Sequence, residues 1–217
     1  GKTLKRISPS EISTDIEQVK DYLSQAVADS AFPGGVLLAA KDGKIFLHES
    51  FGYHTYKKDE RVTRGDIYDL ASITKVIATT SAVMKLVDQK KLSLDDKVVD
   101  HLPGFKGNQK KYFNQKSETT IRHLMTHTAG LPPFKQYYLM KSNSEARLDS
   151  IMNTEPTIGL EEKTIYSDVG LIALGKVIES ASGVPLDLLV DSIIFTPLGM
   201  NSTYFNPPRK RIKRIVP

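Results

Sequence analysis

Ser72-Ile73-Thr74-Lys75 sets a hydroxyl and an amine three residues apart at the start of an apolar-striped segment. Residues at that spacing share one face of a helix, so the amine can meet the hydroxyl. A serine hydroxyl is a weak nucleophile at neutral pH until a neighbouring base takes its proton. A lysine amine, with an ordinary pKa of ~10.4, serves as that base only where burial or a nearby cation lowers the value. Ile73, Val76, Ile77, Thr80, Val83, Met84 and Val87 recur at helical spacing, which predicts a helix over about 72–90 whose stripe packs on a core and desolvates Lys75. A Ser-x-x-Lys match arises by chance about once in a chain of this length, so the reading depends on companion residues.

Tyr166-Ser167-Asp168 is the first companion, placed just ahead of the helical pattern Val169, Ile172, Ala173, Val177 and Ile178. A phenol at a helix entrance can relay a proton between a serine, a lysine and a leaving group where an ammonium favours the phenolate. The plainer reading is a tyrosine that packs its ring against a turn. The second companion runs from His123 through His127-Thr-Ala-Gly-Leu-Pro-Pro133, a short helix stopped by glycine and paired prolines. His123 and His127 stand at the spacing of a zinc pair. Leu124 occupies the place of a metalloprotease glutamate, no third ligand is evident and the chain has no cysteine, so both are read as structural histidines bonded to local backbone, with no metal or cofactor expected.

In this order, Ser72-x-x-Lys75, the His127 run, Tyr166-Ser-Asp168 and Thr196-Pro-Leu-Gly-Met200 resemble the serine β-lactamase and penicillin-binding-protein superfamily, specifically its class C β-lactamase, D,D-peptidase and family VIII esterase branch. The likeness runs from about Phe32 to Phe205. It implies Ser72 as the acylated nucleophile, Lys75 as its base or base partner and Tyr166 as a second proton-transfer group. Asp168 stands where the branch usually has an asparagine that binds substrate. An ionised aspartate accepts but does not donate, so the alternative role is to anchor Lys75 and raise its pKa. The wording from Asp66 to Lys75 is also similar to serine-hydrolase domains fused behind a family 3 glycoside hydrolase, which makes such a fused domain an expectation for the longer protein. The superfamily's third motif, Lys-Thr-Gly or His-x-Gly, has no counterpart after Tyr166; Lys41-Asp42-Gly43 reads instead as a hairpin turn.

The elements that must position these residues read as an α+β fold of the β-lactamase/transpeptidase-like kind. Residues 10–29 predict a helix with Ile12, Ile16, Val19, Leu23, Ala26 and Val27 on one face and Thr14 with Glu17 as a capping box. Strands 35–40 and 44–51 flank Asp42-Gly43, a tight-hairpin signal. The apolar run Val36 to Ala40 predicts a strand buried on both faces of a wider sheet. Further helices are predicted at 119–126, 144–153, 169–182 and 185–195, and the polar stretch 104–118 reads as a surface loop. The expected organisation is a helix and β-hairpin over 1–65, a helical lobe over 66–205 carrying the motifs, and a basic segment over 206–217 leading to strands outside this C-terminally truncated chain. The open sheet edge is a potential dimer contact. Phe134 to Lys141, with Tyr137 and Tyr138, is placed at the mouth of the site.

Hydrophobic content of 40% and charged content of 25% are ordinary for a soluble domain, and no apolar stretch is long enough to span a bilayer. The net charge of +5 is matched by the five cations of Arg209-Lys210-Arg211-Ile212-Lys213-Arg214, a solvated connector without the aromatic interleaving of a nucleic-acid site. The expected activity is a serine hydrolase acting on ester or amide bonds, peptide or β-lactam-like, through an acyl-enzyme on Ser72. Its partner would be a small-molecule or peptidoglycan-like substrate. The resemblance to cell-wall enzymes implies a periplasmic or secreted bacterial protein. The alternative is a non-catalytic β-lactamase-fold protein, or a fragment left inactive without the third motif.

Overall fold

The computed structural model describes residues 5–6, 16–107 and 110–217. The chain divides into two compact units, Gly1–Leu70 with Ser202–Pro217, and Ala71–Asn201.

In the first unit, β2 (Gly34–Lys41) and β3 (Lys44–Gly52) form an antiparallel hairpin with Lys41 opposite Lys44 and Gly34 opposite Gly52. The turn is closed by Asp42 at φ 50° and Gly43 at φ 72°, two successive left-handed residues whose twist suits a two-residue hairpin. A register shift at Ala39/Ala40 bends the ladder. One short strand went unread in the sequence. β1 (Lys5–Arg6) pairs in parallel with β3, giving the order β1-β3-β2; two charged residues carry no period by which a strand can be recognised. The expected burial of β2 on both faces is not observed, since Leu38 is 48% exposed. Helix α1 (Ile16–Ala28) packs on β3, and the 10–15 portion of the expected helix, with Thr14, lies outside the described residues.

After the hairpin, buried His54 donates from Nε2 to Asp66 Oδ2 at 2.8 Å, and Asp66 also accepts the Thr63 N–H and Oγ1–H at 2.7 Å each. The basic segment is more than a solvated connector: Arg209–Arg214 forms a 3-10 turn, and the Ile67 N–H bonds Arg214 O at 2.7 Å while Val216 N–H bonds Ile67 O at 2.9 Å. That pairing lies within the first unit, which takes in both the segment and residues 66–70.

The second unit is helical. A π-helical stretch, Lys75–Thr80, runs into α2 (Ser81–Asp88), followed by α3 (Val98–His101), α4 (Lys110–Glu118), α5 (Ile121–Met125), α6 (Ser144–Met152) and α7 (Asp168–Ser182). The last part comprises α8 (Leu186–Val190), a second π-helical stretch at Asp191–Phe195 and α9 (Thr196–Leu198). Helix α7 is central because Val169, Leu171, Ala173, Leu174, Val177 and Ile178 bury most of its circumference, and it touches α2, α3, α5, α6 and α8. Ala82, Val83 and Leu86 of α2 join the same core, together with Phe105, Ile121, Leu124 and Val190.

Segment 104–118 corrects the sequence reading. Its second half is α4, and Lys116 there is fully buried. The Lys116 ammonium donates to the carbonyls of Met152 and Thr154 at the end of α6 and lies 4.2 Å from the Phe105 ring centroid. A polar-looking stretch is thus bound to the core by its cation. Among the described residues, no single helix is long and apolar enough to cross a membrane.

Candidate active site

Ala71, at φ 42°, turns the chain through the left-handed region and delivers Ser72 to an exposed position at the head of the π-helical stretch. A non-glycine residue there costs about 1 kcal/mol or more, and such strain concentrates at functional sites. Lys75 Nζ donates to Ser72 Oγ at 2.8 Å. The same ammonium pairs with Asp168 Oδ1 at 2.7 Å and lies 5.0 Å from the Tyr166 ring centroid. The phenol of Tyr166 hydrogen-bonds Ser72 and Lys75. All four sequence-nominated residues, Ser72, Lys75, Tyr166 and Asp168, therefore meet within one unit.

Two loops and one helix start hold the second half of the cluster. Ser167 caps α7, its Oγ accepting the Gly170 N–H at 3.1 Å and donating to Pro132 O at 2.7 Å. The Asp168 N–H bonds Pro133 O at 2.8 Å, so the two prolines locate the carboxylate. Gly130, at φ 70°, allows the turn between His127 and Pro132, where a Cβ would stand 2.3 Å from Ile158 O. His123 takes part in the capping box of α5, its Nδ1 accepting the Thr120 N–H at 3.0 Å, and its Nε2 meets Glu161 Oε1 at 3.1 Å. His127 Nδ1 accepts the Ser167 N–H at 3.0 Å. His123 bonds local backbone, as its sequence context indicated, whereas the His127 ring bonds backbone 40 residues further along the chain. Among the described residues, no group of three metal-ligating side chains is present.

The electrostatics reverse one expectation. Burial works to lower the Lys75 pKa, but hydrogen bonds and charge from Asp168 and Tyr166 outweigh it, and the amine is held above its ordinary value. Lys75 is a cation here, and Asp168 anchors it. The hydrogen bond from Ser72, then the Lys75 ammonium, holds the Tyr166 phenol below its ordinary pKa. Burial and the Lys75 cation lower the His127 pKa against the opposing pull of Asp168. The shifts hold the proton on Lys75 and favour ionisation of Tyr166.

The beta-lactamase family model matches residues 19–216, nearly the whole chain. The chain belongs to the beta-lactamase family. It is 34% identical over 95% of its length to a protein of Salmonella heidelberg named "Putative D-alanyl-D-alanine carboxypeptidase", and 33% identical over 97% to one of the same name from Escherichia coli K12. This beta-lactamase-family chain spans about half the length of these curated relatives, 52% of each. Among solved structures it superposes on EstCE1, a hydrolase with promiscuous acyltransferase activity, at TM-score 0.80 and 25% identity, covering 92% of this chain and 55% of that one. A class C beta-lactamase from Rhodobacter sphaeroides matches at TM-score 0.72 and 22% identity over 91% and 53%, a likeness of fold. The beta-lactamase/transpeptidase-like fold expected from the motifs is the observed one.

The sequence did not disclose that His127 packs against Tyr166, with ring centroids 4.6 Å apart. Its one signal was a histidine in a turn-forming run, which marks a tight bend but not what the bend touches.

Proposed function

We propose that this chain carries the nucleophile of a serine hydrolase that cleaves ester or amide bonds, including those of D-amino-acid peptides, through an acyl-enzyme on Ser72. The single observation behind this reading is the Lys75–Ser72 contact of 2.8 Å, with Tyr166 bonded to both. Because Lys75 already pairs with Asp168, its ammonium donates to Ser72 Oγ, and the serine's own proton is left to pass to Tyr166. Ser72 Oγ then bonds the substrate carbonyl carbon. The leaving amine or alcohol departs with the proton held by Tyr166; water, deprotonated by the same phenolate, then breaks the acyl ester, and the phenol returns that proton to Ser72 Oγ. Lys75 contributes charge throughout: it stabilises the phenolate and holds the serine oxygen in place.

The bacterial relatives and their names support a cell-wall peptide or a related ester as substrate, met in the periplasm or outside the cell. The test is turnover of a chromogenic short-chain ester, a peptide ending in D-alanyl-D-alanine and a chromogenic cephalosporin. Hydrolysis of at least one, reduced on the order of 10⁴-fold in Ser72→Ala, is expected. Equal hydrolysis by the wild type and Ser72→Ala would overturn the proposal, and no turnover of any of the three favours a non-catalytic beta-lactamase fold.

A further inference from the structure

His127 holds the residues on both sides of Tyr166. Its carbonyl accepts the Ile165 N–H at 2.9 Å, and its Nδ1 accepts the Ser167 N–H at 3.0 Å. Between these bonds its ring lies tilted by 38° against the phenol ring. The residue itself sits at φ 59°, a left-handed conformation that turns its carbonyl and side chain toward the same stretch of chain. A backbone N–H can only donate, so Nδ1 must carry a lone pair and the ring proton of neutral His127 is on Nε2. An imidazolium would set N–H against N–H at Ser167.

We propose that His127 is a positioning residue for Tyr166: as the neutral Nε2–H imidazole it clamps residues 165–167 and fixes the phenol against Ser72 and Lys75, and its protonation releases that clamp. The proposal rests on the catalytic reading for its effect on rate, but the clamp stands on the geometry alone. The charged and titratable groups facing the ring are Lys75, Asp168 and Tyr166, with His123 in the same crevice, itself paired with Glu161. Lys75 opposes a second cation beside it, and burial acts in the same direction, so the clamp is closed at neutral pH.

The test uses the 217-residue chain in wild-type form and as His127→Asn and His127→Phe. Asparagine tolerates the left-handed conformation and offers an oxygen to the Ser167 N–H without titrating; phenylalanine keeps a ring but offers no acceptor. In the wild type, the Ser167 amide and Tyr166 ring NMR signals are expected to move together as His127 titrates, with a midpoint below 6.5. His127→Asn is expected to abolish that titration and to be acylated by a fluorophosphonate no more than about tenfold more slowly. His127→Phe is expected to lose about 10²-fold in acylation rate at neutral pH. Below the midpoint the wild-type rate should fall more steeply than that of His127→Asn. Tyr166 signals that stay fixed while His127 titrates, or a His127→Phe variant that reacts at the wild-type rate, would overturn the clamp. If the wild type is not acylated at all, the catalytic reading fails and the NMR titration still decides the clamp.

Discussion

Lys75 Nζ lies 2.7 Å from Asp168 Oδ1, and this contact holds the amine in its charged form against the pull of burial. A lone lysine beside Ser72 would be a candidate base once desolvated. A lysine held by a carboxylate is a cation that stabilises charge on its neighbours.

Asp168→Asn removes the carboxylate that raises the Lys75 pKa and opposes ionisation of Tyr166. Both pKa values should fall. With Tyr166 as the base, the acylation rate of the wild type climbs with pH toward a Tyr166 pKa below 10. The limb for Asp168→Asn is expected at lower pH. A stopped-flow acylation profile checks it, and a limb displaced to higher pH would contradict the assignment.

The sequence disclosed the cluster because a hydroxyl and an amine three residues apart at a helix start can share one face, and Tyr166 and Asp168 stand together at the start of a second helical pattern. It disclosed the hairpin because Asp42-Gly43 can take the two left-handed conformations that a tight turn demands. It did not disclose the sign of the Lys75 shift. That sign depends on a through-space ion pair with residue 168, and a one-dimensional reading weighs only the apolar stripe around the lysine. Lys116 escaped for a similar reason: helix α4 has little apolar periodicity, and Lys116 is a buried cation satisfied by carbonyls 36 and 38 residues away.

Lys116 predicts an alkaline gain in stability. Burial lowers its pKa from 10.5 to about 8. Between those values the unfolded chain binds the proton that the folded chain has released, so stability rises with pH across that window, by about 1.4 kcal/mol per unit at most. Below pH 8 both states hold the proton and the gain is absent. Urea unfolding of the wild type and Lys116→Met at pH 8 and 10 should show a rise in the first that is missing in the second.

Ser167→Ala removes the cap of α7 and the bond to Pro132 O together. A loss of about 1 kcal/mol in unfolding free energy is expected from the cap alone. Because the residue lies between Tyr166 and Asp168, acylation should also slow; a variant as reactive as the wild type would show that the cap does not position the site.

Gly130→Ala sets a Cβ at φ 70° against Ile158 O at 2.3 Å and Gln115 Nε2 at 2.7 Å. The combined strain and overlap predict a destabilisation of about 2 kcal/mol or more, read by denaturant unfolding. An unchanged midpoint would mean that the turn holding His127 and Pro132 is more tolerant than its geometry implies.

The most direct measurement of the central claim is the intact mass of the chain after exposure to a fluorophosphonate or a penicillin, for the wild type, Ser72→Ala, Lys75→Ala and Tyr166→Phe. One covalent adduct on the wild type, absent from Ser72→Ala and formed far more slowly by the other two, is the predicted result. An adduct of equal yield on Ser72→Ala would contradict the claim that this serine is the nucleophile.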